Sequence, residues 1–181
     1  MTPPATGSPD GRTRRLARQA VTSAGVAAVL VLCALVTGIL PVQVVRVGSG
    51  SMAPTIDTGD LVVVTTGDVA RRDVVVVQRP GTAQPIVKRA VAMGGDQVAI
   101  ADGVLVVNGE PVCEPGIDPD RIDGVWFAPV TVPDGELFLL GDDRRDAVDS
   151  RDFGTVRESD VTGVLAGRVW PRPGGLDEEI C

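Results

Sequence analysis

Hydrophobic residues are distributed along this chain in two ways. Residues 20–40 (AVTSAGVAAVLVLCALVTGIL) form one run of 21 positions without a charged side chain, whereas the hydrophobic stretches after residue 41 are short and are interrupted by Gly, Pro and Asp. A helix of that length spans roughly 31 Å at about 1.5 Å per residue, and the hydrocarbon core of a bilayer is about 30 Å thick. The pattern therefore predicts one membrane-spanning helix, followed by a domain of a different kind.

The stretches after residue 41 have the composition of β-strands. They are rich in Val, and turn signals such as Asp102-Gly103 and Pro133-Asp134-Gly135 separate them. Residues 109–124 and the charged segment 141–152 are predicted as loops, and no helical pattern is visible after residue 40. The sequence thus predicts an all-β domain of antiparallel strands. The predicted strands are Val42–Val47, Leu61–Thr66, Val74–Arg79, Pro85–Ala92, Gln97–Ile100, Val104–Val107, Trp126–Val132, Glu136–Leu140 and Val161–Trp170.

Basic residues flank only one end of the uncharged run. Four Arg lie within Arg12–Arg18, and the next charged residues are Arg46 and Asp57. By the positive-inside rule, the N-terminus is cytoplasmic and the β domain lies outside. We therefore expect a single-pass protein of the cell membrane, with the lipid bilayer as one partner. Its predicted parts are a basic cytoplasmic tail (1–19), a transmembrane anchor (20–40), an extracytoplasmic β domain (41–172) with a minimal insert at about 97–135, and a flexible tail (173–181).

Three other interpretations of residues 20–40 compete with a retained anchor. A cleaved signal peptide has a shorter apolar stretch with a small-x-small site after it, and the sequence GILPVQV at this point offers no such site. A twin-arginine export signal meets the same objection of length. A buried core helix is the third alternative, but an uncharged run behind an Arg cluster fits it poorly. These objections favour the retained anchor.

The residue types that are absent or scarce exclude several kinds of site. The chain has no His, which excludes a Ser-His-Asp triad, a Cys-His dyad and any His-ligated metal. Its net charge of −7 argues against a nucleic-acid-binding domain. Cys33, Cys113 and Cys181 are too few and too scattered for a zinc motif, although a Cys113–Cys181 disulfide is one alternative on the oxidising side of a membrane. We therefore expect no metal, no cofactor and no nucleic-acid partner.

Without His, a hydrolase needs a nucleophile whose base is Lys, a carboxylate or water. Ser49 and Ser51 lie in a Gly-punctuated turn, GSGSMAPT at 48–55. Gly permits unusual backbone angles and lets a substrate approach closely, so this turn is a candidate for the nucleophile. An ordinary β-turn with polar residues is the alternative.

Lys88 is the candidate base. It is the only lysine among the 17 basic residues, and it lies in the apolar segment Pro85–Val91. Strand alternation places it on one face with Ile86 and Ala90. A base that works near neutral pH requires a pKa about three units below the usual value of about 10.4, which burial can provide. A surface lysine at the edge of a strand is the alternative.

Three segments together resemble the bacterial type I signal peptidases. They are GSGSMAPT (48–55), VKRAV (87–91) with Gly95-Asp96, and the charged segment GDDRRDAVDSRDFG (141–154). Their order and the anchor in front of them also agree, and the resemblance extends over about residues 20–170. It implies an all-β fold, a Ser/Lys dyad, and exported secretory preproteins as substrates, which are cut after Ala-x-Ala-like sequences.

The resemblance also implies roles for individual residues. Ser51 matches the nucleophile and Lys88 the general base, while the Ser49 hydroxyl and the Ser51 N–H match the oxyanion hole. Met52 is expected to contact the substrate. The residues that are expected to support the site are Arg89, Gly141, Asp142, Asp149, Ser150 and Arg151.

One departure from the family pattern bears directly on the chemistry. Ala147 stands where the family usually has a Ser that hydrogen-bonds the base lysine. Water, or Ser150 after a shift of the loop, is a candidate to replace that contact. The other departures are Gly48, Ala92, Gly94, Asp143, Arg145 and Asp146.

The sequence therefore predicts a membrane-anchored serine endopeptidase that removes signal peptides. A self-cleaving repressor protease with a Ser/Lys dyad is one alternative, but such proteins carry no membrane anchor. A catalytically weak or silent relative that binds exported chains is the other alternative, and the altered third segment supports it. Cleavage of a preprotein by the purified protein separates the enzyme from the binding module.

Overall fold

The structure, a computed structural model, describes residues 41–79, 82–114, 117 and 126–171, together with residues 24–26, 29, 31 and 34. The basic tail, most of the predicted anchor and the C-terminal tail therefore lie outside the described residues. The described positions between 24 and 34 are helical. No helix among the described residues is long and apolar enough to cross a membrane. The chain divides into two compact units, Met1–Pro41 and Val42–Cys181.

The described part of the second unit contains eleven strands, which form two antiparallel sheets. The predicted all-β class is confirmed, and each predicted strand ends within two residues of an observed one. In spatial order, the larger sheet consists of β1 (Val42–Arg46), β2 (Leu61–Thr65), β11 (Val161–Trp170), β3 (Val74–Val77), β4 (Ile86–Met93), β9 (Glu136–Leu140) and β10 (Val156–Arg157). The smaller sheet consists of β7 (Glu110–Pro111), β6 (Val104–Val107), β5 (Gln97–Ala101) and β8 (Phe127–Thr131).

The valine-rich runs of the larger sheet are buried according to their place in it. β3 lies between β11 and β4, and all four of its Val side chains are buried. A strand that is covered on both faces needs no polar alternation, so a continuous apolar run suits this position. β1 is an edge strand, and its side chains are half-buried or exposed. The neighbours of a strand, rather than its Val content, therefore decide which valines enter the core.

The smaller sheet shares a hydrophobic core with β4 and β9. Ile100 and Leu105 of the smaller sheet belong to one buried cluster with Phe138 and Leu140 of β9. The ring centroids of Phe127 and Phe138 lie 5.3 Å apart with an interplanar angle of 55°, a tilted arrangement that aromatic pairs favour. The region predicted as a minimal insert is therefore a sheet that packs directly against the strand carrying Lys88.

Short elements in the charged segment and in the long loop were missed by the prediction. β7 lies within the predicted loop 109–124, and a one-turn helix, Ser150–Phe153, ends the charged segment. Asp149 caps this helix by accepting a hydrogen bond from the Arg151 N–H, and the Asp152 carboxylate accepts one from the Asp149 N–H. The expectation of no helix after residue 40 is wrong here, because one turn is too short to show helical periodicity.

A buried carboxylate links the two sheets at the turn between β4 and β5. Asp96, which is 4% exposed, accepts hydrogen bonds from the Met93 N–H (2.8 Å), the Asn108 amide (2.9 Å) and Nε of Arg71 (2.9 Å). Burial opposes ionisation of this carboxyl, but the hydrogen bonds outweigh it and hold the pKa of Asp96 below its ordinary value. Since Met93 ends β4 and Asn108 follows β6, the ionised carboxylate joins the two sheets.

The structure bears on only one of the three cysteines. Cys113 is disulfide-bonded, whereas Cys33 and Cys181 lie outside the described residues. The Cys113–Cys181 pairing therefore stays a prediction. Cys113 itself precedes Glu114 in the connection between β7 and β8.

Candidate active site

The turn between β1 and β2 holds Ser51 at the surface of the larger sheet. Its backbone hydrogen bonds run from the Ala53 N–H to the Gly50 carbonyl and from the Ile56 N–H to the Met52 carbonyl, both at 2.9 Å. Met52 and Ile56 are 1% and 0% exposed, and they belong to the core cluster of β2, β3 and β11. These two side chains fix the turn on the sheet. Met52 is therefore mainly a core residue, and its contact with a substrate stays a prediction.

Lys88 reaches Ser51 from the middle of the larger sheet. It lies on β4 opposite Val75 of β3, and it is 3% exposed. Its Nζ donates a hydrogen bond to Oγ of Ser51 at 2.5 Å. Ile86 and Ala90, which were predicted to share its face, belong to a hydrophobic cluster that includes Val75. The structure thus brings together the predicted nucleophile and the predicted base, which are 37 residues apart in the sequence.

Burial has the largest influence on the Lys88 amine. It disfavours the ammonium form and lowers the pKa of Lys88 below its ordinary value of 10.5. The carboxylates of Asp149 and Asp142 oppose this effect, while the charge of Arg151 adds to it. The net lowering increases the fraction of neutral amine at a given pH. The neutral amine is the form that can accept a proton from a serine hydroxyl.

Ser49 lies on the same turn, two residues before Ser51. The two Oγ atoms are 3.4 Å apart, and the Ser49 residue is exposed. Within the described residues, the Ser51 N–H donates no backbone hydrogen bond. The Ser49 hydroxyl thus lies close to the Ser51 hydroxyl, and the oxyanion hole formed by Ser49 and the Ser51 N–H stays a prediction.

An ion pair connects β4 to the start of the charged segment. Arg89 donates from Nε and Nη2 to the two carboxylate oxygens of Asp142, at 2.9 and 2.7 Å. Asp142 is 0% exposed, and Arg89 Nη1 also donates to the Arg72 carbonyl at 2.7 Å. Bidentate pairs of this kind fix orientation as well as distance. The residue that follows the candidate base is thus held against the segment 141–154.

A second ion pair organises the end of that segment. Arg151 donates from Nε and Nη2 to the carboxylate of Asp149, both at 2.8 Å, and the Gly141 N–H donates to the same carboxylate at 3.0 Å. The Ser150 hydroxyl accepts a hydrogen bond from the Leu139 N–H at 2.9 Å. The predicted supporting residues therefore join β9, Gly141 and the one-turn helix into one hydrogen-bonded unit.

Gly141 allows this unit to support the backbone of Ser51. A Cβ at position 141 would lie 2.6 Å from the Ser51 carbonyl oxygen and 2.2 Å from Cβ of Ala147. Only glycine permits so close an approach. The Asp143 N–H donates to the same Ser51 carbonyl at 3.2 Å. The backbone of the candidate nucleophile, Ser51, thus packs on the segment 141–143.

Ala147 is buried against Gly141, where a family member usually has Ser. It is 7% exposed, and its N–H donates to the Asp143 carbonyl at 3.0 Å. Ser150, the predicted substitute, is 1% exposed, and its hydroxyl bonds the Leu139 N–H instead. A hydroxyl that accepts this bond can still donate its own proton, but among the described residues no hydrogen bond joins Ser150 to Lys88. Its role toward the base therefore stays a prediction.

The ion pair between Arg144 and Glu114 was not predicted. Arg144 Nη1 donates to Oε2 of Glu114 at 2.7 Å, although the two residues are 30 positions apart and Glu114 lies in a predicted loop. No spacing or periodicity in the sequence connects these two residues. Only the knowledge that the charge at position 144 is buried could have suggested that Arg144 has an acidic partner.

Among the described residues, no three His, Cys, Asp or Glu side chains are grouped as metal ligands.

Comparisons with known proteins point to one family. Residues 18–170 match the sequence profile of the family described as "Signal peptidase, peptidase S26". A signal peptidase I of Bacillus caldolyticus is 33% identical in an alignment 138 positions long; the match covers 67% of this chain and 75% of that protein. A signal peptidase I of Streptococcus pneumoniae serotype 4 is 30% identical in an alignment 166 positions long; the match covers 70% of this chain and 81% of that protein. A crystal structure of a signal peptidase I from Enterococcus faecalis is similar over 56% of this chain and 99% of the other, with 28% identity and a TM-score of 0.49.

The pKa of Lys88 can be measured without interference from other lysines. Because the chain has a single lysine, protein labelled with isotopic lysine gives one side-chain NMR signal to follow with pH. We expect the titration midpoint to lie below 10.5, because burial lowers the pKa of Lys88. Asp149→Asn should lower the midpoint further, since the Asp149 carboxylate favours the ammonium form. A midpoint at or above 10.5 in the folded wild type would contradict the prediction.

Proposed function

The chain belongs to the signal peptidase family, peptidase S26, and we propose that Ser51 and Lys88 form the dyad with which it acts. It is a serine endopeptidase that cleaves signal peptides, as its relatives named signal peptidase I indicate. The same relatives do not favour a catalytically silent binding module. The observation that carries the proposed dyad is the 2.5 Å hydrogen bond from the buried Nζ of Lys88 to Oγ of Ser51.

In the proposed reaction, the neutral amine of Lys88 accepts the hydroxyl proton as Ser51 Oγ attacks the carbonyl carbon of the scissile peptide bond. The carbonyl oxygen becomes an oxyanion, which the Ser51 N–H and the Ser49 hydroxyl stabilise. The ammonium of Lys88 then gives its proton to the leaving amine, and an acyl ester remains on Ser51. Neutral Lys88 next deprotonates a water molecule, which hydrolyses the ester and regenerates the serine.

The edge of β4 offers a place for the substrate backbone. β4 pairs with β3 along Ile86–Arg89, whereas its pairing with β9 begins only at Arg89. Among the described residues, one edge of β4 at Ile86–Lys88 therefore has no partner strand. An extended peptide can add to such an edge through main-chain hydrogen bonds. We propose secretory preproteins as the substrates, bound here as an added strand and cut after small-x-small sequences of the Ala-x-Ala type.

We also propose that residues 20–40 anchor the protein in the cell membrane. The support is the run of 21 residues without a charge and the four Arg in front of it at Arg12–Arg18. In this arrangement, residues 1–19 are cytoplasmic, and the catalytic domain, residues 41–172, works on the outer side. Exported chains reach the same side, so the proposed location agrees with the activity.

Lys88→Arg tests the proposed base. The guanidinium keeps the positive charge but does not lose its proton at usable pH, so we expect cleavage of an Ala-x-Ala preprotein to fall below detection, as in Ser51→Ala. In the wild type, the rate should rise with pH, because the lowered pKa of Lys88 sets the fraction of neutral amine. The assay is gel analysis of cleavage by the detergent-solubilised full chain. Substantial turnover by Lys88→Arg would remove Lys88 from the mechanism.

Ala147→Ser tests how well the base is oriented. A hydroxyl at this buried position should hydrogen-bond the Lys88 amine, and a bond worth about 1 kcal/mol corresponds to a gain of about fivefold in turnover. In a Lys88→Ala background, the gain should disappear, because the hydroxyl has no base to position. A neutral or harmful Ala147→Ser together with a costly Ser150→Ala would mean that the site uses another orienting group.

Protease protection tests the proposed topology. Protease added to intact protoplasts should digest the C-terminal domain, because residues 41–172 are expected outside the membrane. A cytoplasmic protein serves as the control for intact cells. Immunoblots with an antibody against the β domain report the result. A domain that resists protease in protoplasts but is digested in the lysate would reverse the orientation.

A further inference from the structure

The segment that supports Ser51 is also held from the smaller sheet. Arg144 follows Asp143 and is 3% exposed. Its Nε donates to the Gly141 carbonyl at 3.0 Å, its Nη1 donates to Oε2 of Glu114 at 2.7 Å, and its Nη2 pairs with the other Glu114 oxygen. One guanidinium therefore joins a carboxylate of the β7–β8 connection to the backbone of the segment 141–154, the catalytic loop.

The guanidinium depends on Glu114 for its charge balance. The side chain of Arg144 is 3% exposed and that of Glu114 is 15% exposed, so the pair is largely withdrawn from water. A buried charge that loses its partner is strongly unfavourable, and the side chain then moves toward water or another acceptor. Movement of Arg144 would release the Gly141 carbonyl, because the same guanidinium bonds both groups.

Loss of the hydrogen bond to the Gly141 carbonyl would affect Ser51, because Gly141 contacts the backbone of Ser51. Position 141 lies so close to the Ser51 carbonyl that a Cβ there would be 2.6 Å from it, and the Asp143 N–H donates to the same carbonyl. A shift of the segment 141–143 therefore moves the backbone of Ser51. Its N–H is one of the two proposed oxyanion donors, whose benefit depends on their position relative to the developing charge.

The chain immediately before Glu114 is tied to the smaller sheet. The Val112 N–H donates to the Leu105 carbonyl of β6 at 2.8 Å, and Cys113 is disulfide-bonded. The carboxylate is thus presented from an anchored segment of the chain. An anchored carboxylate can hold a partner in one orientation, whereas a carboxylate on a free loop would follow the movements of Arg144.

We propose that Glu114 is a positioning residue for catalysis, which acts through Arg144 and Gly141 on the backbone of Ser51. The inference rests on the proposed Ser51 and Lys88 dyad and deepens it. It makes the smaller sheet a contributor to the reaction rather than a neighbouring layer. Glu114 touches neither the dyad nor the open edge of β4, so its removal should lower kcat and leave KM unchanged.

The test compares Glu114→Gln with Arg71→Gln in the detergent-solubilised full chain. Arg71→Gln breaks another carboxylate–guanidinium pair, that with Asp96 at the turn between β4 and β5, which is remote in sequence from the catalytic loop. The measurements are kcat, KM, the pH dependence of kcat and the thermal unfolding temperature, with an Ala-x-Ala preprotein as substrate. Cleavage by the wild type and its loss in Ser51→Ala test the proposed function separately.

For Glu114→Gln, we expect kcat to fall about tenfold with KM unchanged, and kcat should still rise with pH because Lys88 remains the proposed base. Arg71→Gln should keep the wild-type kcat even if its thermal unfolding temperature falls as much as that of Glu114→Gln. In an Arg144→Met background, Glu114→Gln should cause no further loss. Glu114→Asp, which keeps the charge, should recover part of the loss.

Two results would overturn the inference while the wild type remains active. One is a wild-type kcat in Glu114→Gln, and the other is an equal fall of kcat in Arg71→Gln, which would indicate general loosening of the fold. If Glu114→Gln does not fold, Glu114→Asp tests the inference in its place. The shorter side chain of Asp should lower kcat about threefold at constant KM. A wild-type kcat in Glu114→Asp would refute the positioning role of Glu114. An inactive wild type would refute the proposed function instead.

Discussion

Lys88 is buried with its amine beside the Ser51 hydroxyl, and this placement sets what the surrounding strands, turn and charged segment have to provide. An amine with its ordinary pKa is protonated at neutral pH and cannot accept the serine proton, so it has to be withdrawn from water. β4 provides this environment, because Lys88 lies opposite Val75 in the larger sheet and is 3% exposed. The hydroxyl must then be brought to the amine, and the turn anchored by Met52 and Ile56 does so.

The charged groups near the proposed dyad are arranged so that they do not cancel the lowering of the Lys88 pKa by burial. The carboxylates of Asp142 and Asp149 favour the ammonium form of Lys88. If either carboxylate bonded the amine directly, it would oppose the effect of burial on the pKa more strongly. Instead, each carboxylate bonds an arginine, Asp142 with Arg89 and Asp149 with Arg151. The same pairs fix the loop that supports Ser51. The residues that influence the pKa of the proposed base therefore also support the proposed nucleophile.

The smaller sheet is joined to the larger one by apolar packing and by buried carboxylates. Phe138 and its neighbours form the shared core, Asp96 connects the ends of β4 and β6, and Glu114 reaches Arg144 in the catalytic loop. Apolar contacts alone hold two layers together without fixing their register closely. Directional ion pairs fix that register. The pair of Glu114 with Arg144 also holds the Gly141 carbonyl, and Gly141 contacts the backbone of Ser51.

The β class and nearly all the strands follow from the sequence, and three spaced motifs also identify the two residues of the proposed dyad. These features are local: runs of Val, turns with Gly, Pro and Asp, and short segments whose residues lie side by side. Tertiary packing is what makes the four strands β5 to β8 a second sheet, gives Ser150 the Leu139 N–H as its partner, and brings Glu114 to neutralise Arg144. The reason is physical, because the partner of a buried charge or hydroxyl is chosen by packing in space, and packing leaves no spacing or period in the sequence.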